Sequence, residues 1–457
     1  MKRINELRTP AFFQKLQWVA DPVGYMEGAA QRYPDLFESK VADFGDSVLF
    51  VQHPQALEQI LTNDRKIFSA PGHLNEIVTP LVGDYSIMLL DGERHRRERK
   101  LLMPSFHGDR MHTYGKLIEQ LVERTLIDLT PGKTFTALSV TQNITLQVII
   151  KVVFGLEEGE RCQKIIQLTR SFLNFLNTPL TASFLFFNSL QKDLGPWSPW
   201  GFFLRTRNQL DDLLYAEIRD RRQNIDPERV DILSLLMSVR DDAGEALTDQ
   251  ELRDELMTFL LAGHDTTALA LAWGLYWIHH HPEVREKLLQ ELDSLGQNPD
   301  PMRIFRLPYL TAVCNETLRI HPIGMLTFPR VAQEPVELLG HKLEPGTCLL
   351  GCLYLIHQRE DLYPEPKKFN PERFLERQFS PHEFIPFGSG VRRCMGEALA
   401  QFEMKLVIAK ILSKAELALA NNRSVKPQRR GVVLAPAGGV KMVFLQTRHS
   451  AKAEERA

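Results

Sequence analysis

Cysteine is scarce in this chain, which has 457 residues and five cysteines. So small and odd a number argues against a disulfide framework and is typical of a protein of the reducing cytoplasm. An excess of charge of one sign is also lacking, because 55 basic and 57 acidic side chains give a net charge of −2. This balance provides no electrostatic reason to expect nucleic acid or an anionic membrane as a partner.

Long hydrophobic runs and domain linkers are lacking as well. We find no stretch of about 18 apolar residues and no signal-peptide segment, so we expect no membrane span. The longest apolar helical pattern, residues 259–278, is interrupted by His264 and Asp265, as in a core helix. No Gly/Ser linker, internal repeat or low-complexity tract divides the chain. We therefore predict one domain, residues 1–447, and a disordered tail, residues 448–457.

Helical periodicity dominates the long segments that are present. The predicted helices are residues 110–129, 208–223, 249–280, 283–295 and 309–320. Thr248 and Glu251 form a capping-box pattern at the start of the longest of them. Alternating runs predict strands at 48–52, 336–339 and 347–354, and a hairpin of 432–434 with 440–444. The expected fold class is mainly α with small β-sheets (α+β).

A glycine-rich segment surrounds Cys394 and reads FGSGVRRCMG from Phe387 to Gly396. Glycine allows a backbone to turn with positive φ and to approach a flat ligand closely. A helical run starts at Glu397, and a helix N-terminus just after a cysteine lowers the pKa of its thiol. These features favour a thiolate bound to a metal, although a glycine-rich turn around a buried free cysteine would have the same composition.

A second motif, AGHDTT at 262–267, lies in the middle of the longest predicted helix. Its Asp265 and Thr266 are polar residues with apolar flanks, which destabilise a core helix unless they are hydrogen-bonded or take part in chemistry. The Thr266 hydroxyl can bond back to the helix backbone, and Asp265 offers a protonatable group. The alternative is an ordinary core helix with a buried polar pair.

The cysteine segment resembles the haem-binding loop of the cytochrome P-450 superfamily, whose pattern is F-x-x-G-x-[RH]-x-C-x-G. The fixed places of that pattern are filled here by Phe387, Gly390, Arg392, Cys394 and Gly396. The resemblance implies that Cys394 is the axial ligand of a haem b iron, where a thiolate favours O–O cleavage. The other four residues are then predicted to contact the cofactor.

The helix motif resembles the oxygen-binding pattern [AG]-G-x-[DE]-T-[TS] of the same family. The resemblance implies that Asp265 and Thr266 are catalytic and deliver protons to reduced dioxygen. Ala262 and Gly263 are small, and we expect them to leave room for O₂ beside the haem.

Further motifs follow in the order that the family has. Glu316 and Arg319 match its E-x-x-R, and Arg373 lies in its P-E-R-F. Residues i and i+3 share one face of a helix, so the first two can form an ion pair. The resemblance implies that the three clamp the segment before the cysteine loop.

The family also holds the haem propionates with basic side chains. His95 and Arg99 match its H-x-x-x-R pattern, and Arg330 and Arg392 match two further propionate partners. Three more cations, Arg96, Arg97 and Lys100, lie in the same helical segment. We expect these three to form a basic patch that attracts an acidic electron donor, the alternative being a solvated charged face.

The resemblance covers nearly the whole chain and implies a soluble, cytoplasmic bacterial monooxygenase with a single-domain cytochrome P-450 fold. Residues 103–111 look most like cyanobacterial members. The expected reaction inserts one atom of O₂ into a lipophilic substrate, with electrons from a separate ferredoxin-type donor. Two other functions stay open, a peroxide-driven peroxygenase or hydroperoxide isomerase and a non-enzymatic haem-thiolate sensor. The Asp265–Thr266 pair argues against both.

Phenylalanine and tryptophan between residues 171 and 204 indicate a lipophilic substrate. The segment 69–90, which lines the substrate space in the family, contains no lysine or arginine. A fatty-acid carboxylate therefore has no evident partner there. The nearest candidate cations are Arg170 and Lys192, next to or within the aromatic segment. We favour a long-chain fatty acid slightly over a terpenoid or steroid.

Overall fold

The structure, a computed structural model, describes residues 4–41, 47–106, 110–156, 158–176, 181, 183–185, 191–195, 197–226 and 228–448. The helices are α1 (Ala11–Ala20), α2 (Pro22–Ala30), α3 (Pro54–Thr62), α4 (Thr79–Val82), α5 (Gly92–Leu102), α6 (Arg110–Ile127), α7 (Ala137–Phe154), α8 (Glu160–Leu176), α9 (Pro199–Gln223), α10 (Ile232–Ser238), α11 (Asp249–His280), α12 (Pro282–Ser294), α13 (Pro301–Phe305), α14 (Pro308–Ile320), α15 (Leu353–Ile356), α16 (Arg373–Glu376) and α17 (Glu397–Lys414). The strands are β1 (Leu36–Ser39), β2 (Val48–Val51), β3 (Phe68–Ser69), β4 (Thr134–Thr136), β5 (Arg330–Ala332), β6 (Val336–Leu338), β7 (His341–Leu343), β8 (Cys348–Gly351), β9 (Ala415–Leu419), β10 (Pro427–Arg430), β11 (Val433–Pro436) and β12 (Lys441–Thr447). The predicted fold class, mainly α with small sheets, is confirmed.

The chain forms two compact units. The first unit comprises Met1–Leu74, Ala312–Cys394 and Val425–Ala437, and the second comprises Asn75–Thr311, Met395–Ser424 and Gly438–Ala457. The single domain predicted for residues 1–447 stays a prediction.

The first unit is built on a five-stranded sheet in the order β1-β2-β8-β5-β3. Strands β2 and β8 pair in parallel, and all four residues of each are buried. Because side chains alternate across a strand, Cys348 and Leu350 join one hydrophobic cluster while Leu349 joins a second. The two faces of the sheet therefore carry separate cores, which fix the loops at the ends of its strands.

The second unit is organised around α11, which packs against α7, α9 and α17. The predicted capping box is confirmed, since the Thr248 hydroxyl accepts from Glu251 N–H and the Glu251 carboxylate accepts from Thr248 N–H. Helix α7 is, among the described residues, the one helix long and apolar enough to cross a membrane, but 61% of it is buried. Its packing on α11 makes it a core helix of this unit.

The five predicted helices are confirmed within a few residues, except that α9 begins nine residues earlier than predicted. The predicted hairpin of 432–434 with 440–444 is wrong. Strand β11 pairs with β10 in the first unit, whereas β12 pairs with β4 and β9 in the second. The intervening Gly438 and Gly439 both have a φ of 71°, in a 3₁₀ turn that separates the two strands.

The predicted disordered tail starts too early. Arg448 belongs to the fold, because its N–H donates to Lys414 O at 2.9 Å and its guanidinium pairs with Asp293 at 2.7 Å. Residues 449–457 lie outside the described part of the chain.

Candidate haem-thiolate site

The segment around Cys394 in the first unit forms a tight loop. Gly388 and Gly390 have φ values of 68° and 69°, which glycine adopts without strain. The Cys394 N–H donates to Phe387 O at 3.0 Å and closes the loop. The turn leaves the Cys394 side chain exposed. The loop predicted from its glycines therefore presents the thiol away from the core of its unit.

The other four cysteines are all buried, which distinguishes them from Cys394. Burial raises the pKa of the Cys348 thiol to about 11 and that of Cys352 well above its usual value. A metal ligand must be a thiolate that the metal can reach. Cys348 lies in a central strand with its side chain in a hydrophobic cluster, so it meets neither requirement.

Asp64 contacts this loop, and no sequence motif indicated it. It follows α3, is 6% exposed, and its Oδ2 accepts from Val391 N–H at 2.8 Å and from Arg330 Nη2 at 3.1 Å. A Cβ at Gly390 would collide with the Asp64 carboxylate and lie 2.7 Å from Leu61 O. Glycine at 390 is therefore required by the packing of the loop against Asp64 and the end of α3.

The two arginines predicted to bind propionates lie in the first unit and are buried. Arg330 is 1% exposed and donates to Phe328 O at 2.9 Å, but its Nε has no hydrogen-bond partner among the described residues. Burial lowers the pKa of Arg330, an effect that the nearby Asp64 opposes without cancelling it. Arg392 is 9% exposed and donates from Nη2 to Ala70 O at 2.6 Å. A buried guanidinium with an unused N–H fits the carboxylate of a haem propionate.

Gly396 provides a second indication that a flat group fits next to the cysteine segment. It precedes α17 with a φ of −81°, which any residue adopts. A Cβ at this position would meet no atom of the described residues within 4 Å. Neither strain nor crowding by the chain explains glycine at 396, so the space fits a bound haem, as the resemblance implies.

The predicted E-x-x-R clamp forms a buried network. Glu316 accepts from Arg319 Nε at 2.6 Å and from Arg373 Nε at 3.1 Å. Arg319 Nη1 donates to His357 O at 2.7 Å, and His357 Nε2 accepts from Ile385 N–H at 3.0 Å. Burial lowers the pKa of His357 to about 3, so the ring is neutral and its Nε2 can accept. The network thus ends two residues before Phe387, which gives the clamp its physical route to the cysteine loop.

In the second unit, the AGHDTT motif interrupts the burial of α11. Residues 252–260 and 267–276 are all buried, whereas Ala262 is exposed and Asp265 and Thr266 are half-buried. The Thr266 hydroxyl donates to Ala262 O at 2.5 Å, which is the back-bond predicted from the sequence. Asp265 Oδ1 accepts from Gln142 Nε2 at 2.7 Å. The helix therefore exposes a small residue and two oriented polar groups at its centre.

The neighbouring motif residues face α7. A Cβ at Gly263 would lie 2.7 Å from Ile149 Cδ1, and His264 Nδ1 is hydrogen-bonded to Thr145 Oγ1 at 2.7 Å. The small size of Gly263 is thus already explained by helix packing. Its predicted contact with the cofactor or O₂ stays a prediction.

Helix α5 of the second unit carries the H-x-x-x-R pair. His95 is buried and Arg99 half-buried on the same helix. The basic patch predicted beside them is largely neutralised: Arg97 pairs with Asp241 at 2.6 Å and Lys100 with Asp242 at 2.6 Å. The sequence did not reveal these pairs because the two acids lie over 140 residues away.

The segment before α5 is fixed to α11 by acids that the motifs did not indicate. Asp254 accepts from Tyr85 N–H at 2.9 Å and Glu255 from Ile87 N–H at 2.6 Å. The Thr258 and Ser86 hydroxyls are 2.7 Å apart. This segment therefore has a defined backbone position within its unit.

Comparison with known proteins decides the family. The family model described as cytochrome P450 matches residues 7–444. The chain is 33% identical to putative cytochrome P450 135B1 of Mycobacterium tuberculosis, across 93% of this chain and 87% of that protein. It is 31% identical to putative cytochrome P450 137 of the same species, across 97% and 91%. The chain belongs to the cytochrome P450 family.

Solved P450 structures have the same fold. Retinoic acid-bound cyanobacterial CYP120A1 matches with a TM-score of 0.81 and 23% identity, over 95% of this chain and 96% of that one. The haem domain of P450DA matches with a TM-score of 0.84 and 22% identity, over 98% of each chain. As a P450, the chain is a haem-thiolate monooxygenase whose haem iron has an axial cysteine thiolate. The mainly α fold and the enzyme class predicted from the motifs are both confirmed.

Proposed function

We propose that Cys394 is the axial thiolate of this P450 and that the enzyme hydroxylates a lipophilic substrate with O₂. The observation that carries the proposal is the exposed thiol of Cys394 on a glycine-turned loop, in a chain whose other cysteines are buried. Arg330 Nη2 lies 3.4 Å from Ser389 O of the same loop. The proposed propionate partner Arg330 and the loop of the proposed thiolate are therefore neighbours in the first unit.

The bound haem supplies oxygen activation, and the chain supplies anchors and protons. Arg330, Arg392, His95 and Arg99 are proposed to hold the propionates by donating hydrogen bonds to them. Phe387, Gly390 and Gly396 are proposed to pack on the proximal side, and Ala262 and Gly263 on the oxygen side. Phe387 and Ala262 would contact the flat group with their side chains, and the three glycines would let the backbone approach it closely.

Protons are proposed to pass through Asp265 and Thr266. Gln142 holds one carboxylate oxygen of Asp265, which orients the group. The Thr266 hydroxyl, which donates to Ala262 O, would be the proton donor at the exposed centre of α11 once the haem is bound. Asp265→Asn should slow product formation and turn much of the NADPH consumption into peroxide release.

The ligand is tested by two cysteine substitutions. Cys394→Ser or Cys394→His should abolish the thiolate-type carbon monoxide band of the reduced protein, whereas Cys348→Ser should keep it. A band that survives the change at 394 would refute the proposal.

For the substrate we favour a long-chain fatty acid slightly over a terpenoid or steroid. Four of the aromatic residues that indicated a lipophilic substrate are core, because Phe172, Phe175, Trp200 and Phe203 are buried against one another, whereas Trp197 and Phe202 are exposed. Two further phenylalanines of the segment 171–204, at 186 and 187, lie outside the described residues. The support therefore comes from a cation beside the segment 69–90.

Arg207 of α9 is that cation. Its Nη1 donates to Pro80 O at 3.1 Å, and its Nε is buried without a hydrogen-bond partner among the described residues. Burial and the neighbouring Arg253 lower the pKa of Arg207. A substrate carboxylate would satisfy the unused N–H, in competition with Asp211, whose Oδ2 lies 3.7 Å from the same Nε. The retinoic acid bound by CYP120A1 is a terpenoid acid, so it supports a lipophilic carboxylic acid in general and not a fatty acid in particular.

The substrate class is tested by titrating the haem spin state with a long-chain fatty acid and with its methyl ester. The wild type should bind the acid more tightly, and Arg207→Gln should bind the two alike. Arg205→Gln is the matched control, because the Arg205 side chain is 40% exposed. Equal binding of acid and ester by the wild type would favour a neutral terpenoid or steroid.

Electrons are proposed to come from a separate ferredoxin-type donor in the cytoplasm. Product formation with NADPH, ferredoxin and its reductase, compared with hydrogen peroxide alone, separates a monooxygenase from a peroxygenase. Turnover with peroxide and none with the electron-transfer proteins would refute the donor-dependent function.

A further inference from the structure

Asp64 is a buried carboxylate in the first unit, outside the motifs of the P450 site. It follows Asn63, whose side chain donates to Gln59 O at 2.8 Å and ends α3. Burying a carboxylate is unfavourable unless hydrogen-bond donors replace the lost water. The donors of Asp64 therefore indicate why a charged residue is kept at this position.

Both donors belong to groups assigned to the haem site. Val391 N–H lies 2.8 Å from Asp64 Oδ2, three residues before Cys394, and Arg330 Nη2 lies 3.1 Å from the same oxygen. One atom thus joins the backbone of the thiolate loop to the buried arginine. Asp64 also lies where a side chain at Gly390 would be, so the loop cannot approach it with any other residue there.

The remaining bonds of Arg330 show what Asp64 contributes to its orientation. Nη1 donates to Phe328 O at 2.9 Å and Pro329 O at 3.3 Å, while Nη2 is shared by Asp64 and Ser389 O at 3.4 Å. The Nε edge is the one without a protein acceptor among the described residues. Asp64 is the sole charged acceptor among these contacts. It binds the guanidinium through Nη2, so that the Nε edge stays available to a further acceptor.

We propose that Asp64 is a positioning residue of the haem-thiolate site, which fixes the Cys394 loop and Arg330 relative to each other through one carboxylate oxygen. The inference rests on the proposed roles of Cys394 and Arg330. Because Asp64 touches the loop and the arginine, it acts through them. Its negative charge also disfavours the addition of an electron to the site, so it holds the reduction potential of the haem down.

The test is Asp64→Asn in the purified, haem-loaded enzyme. Asparagine keeps the shape but removes the charge and one acceptor, and a hydrogen bond to a charged group is worth enough to change a rate by about tenfold. We expect a more positive reduction potential, about tenfold faster haem transfer to apomyoglobin, and faster conversion of the reduced carbon monoxide complex to its thiol-ligated form.

Asp35→Asn is the matched control. Asp35 pairs with Arg359 at 3.1 Å in the same unit and is 48% exposed, so the control removes the same charge and an ion pair of the same length without touching the loop. We expect the control to keep the wild-type potential and haem transfer rate. If Asp64→Asn and Asp35→Asn behave alike, the inference is overturned.

A measurement on the wild type covers the case in which Asp64→Asn retains no haem. Amide exchange of the peptides spanning 388–393 should be slow at Val391, because Asp64 accepts its N–H, and rapid exchange would overturn the inference. Failure of the proposed function has a different signature. The wild type itself would then lack the thiolate-type carbon monoxide band.

Discussion

Glu98 on α5 is a single side chain whose charge depends on pH near neutrality. It is 2% exposed, and burial raises its pKa from 4.5 to about 7, with repulsion from Glu251 added and Arg97 opposing. Because its pKa is higher in the folded than in the unfolded protein, the free energy of unfolding falls as pH rises from about 4.5 to about 7. The full shift corresponds to about 3 kcal/mol at pH 8.

We therefore expect Glu98→Gln to raise the melting temperature at pH 8 and to leave it nearly unchanged at pH 5. Glutamine never carries the charge, so it removes the penalty that the carboxylate has at high pH. Melting followed by circular dichroism at both pH values measures the difference. Glu93→Gln is the control, since this side chain on the same helix is 87% exposed. An effect of Glu98→Gln that is equal at both pH values would contradict the raised pKa.

Between helices, Gly263 permits the close packing of α11 on α7. Gly263→Ala should lower the free energy of unfolding by about 1 kcal/mol, because the new Cβ would lie 2.7 Å from Ile149 Cδ1. Ile149→Val removes that atom and should itself cost about 1 kcal/mol. The loss of stability in the double variant should therefore be about 1 kcal/mol smaller than the sum of the two single losses.

Denaturant unfolding of the four proteins measures this coupling. Gly28→Ala is the control, because a Cβ there would meet nothing within 4 Å among the described residues, and it should stabilise α2 by about 0.5–1 kcal/mol. Additive costs in the double variant would mean that Gly263 has another role, such as the contact with cofactor or O₂ that its motif implies.

The Glu316 network links α14 to α16 and to the segment before the cysteine loop. Glu316→Gln leaves two buried arginines facing a neutral group, and breaking a buried pair in this way costs about 3–5 kcal/mol. We expect a correspondingly lower denaturant midpoint and faster loss of haem. Glu365→Gln, which removes an exposed pair with Lys368, should change stability by less than about 0.5 kcal/mol. Equal effects of the two substitutions would contradict the clamp.

Elements with local signals were predictable from the sequence, and those defined by distant pairing were not. The capping box and apolar stripe of α11 gave both of its ends, because caps and helical period are properties of neighbouring residues. The hairpin of 432–434 with 440–444 failed because strand partners are chosen by the whole sheet. Strand β12 pairs with β9 and β4, and β4 lies some 300 residues earlier in the chain.

The residues of the candidate site likewise divide into those that a local motif reveals and those that only distant contacts define. Cys394 and the AGHDTT residues belong to contiguous motifs and could be singled out from the sequence. Asp64 contacts Arg330 from 266 residues away and belongs to no motif, so no local pattern indicates it. The same holds for the acids that neutralise Arg97 and Lys100, which made the basic patch look stronger than the structure supports.

At the scale of the whole molecule, the net charge of −2 gives an acidic donor no overall attraction, so electron transfer depends on local charges. Lys100 is exposed, but its ion pair with the exposed Asp242 cancels its field beyond about a Debye length. Reversing Lys100 would replace this neutral pair with two negative charges and should slow reduction by an acidic donor. Asp242→Asn should expose the lysine charge, raise the rate of reduction by an acidic ferredoxin at low salt, and steepen its fall with ionic strength.

Stopped-flow reduction at several salt concentrations measures this effect. Asp226→Asn is the control, because it removes an exposed aspartate that pairs with Arg229. It therefore makes the same change in net charge in another segment. A rise that is equal in both variants would reflect net charge alone, since long-range attraction does not distinguish the two positions. A rise confined to Asp242→Asn would place the donor against α5, and no rise in either would exclude this surface as its binding site.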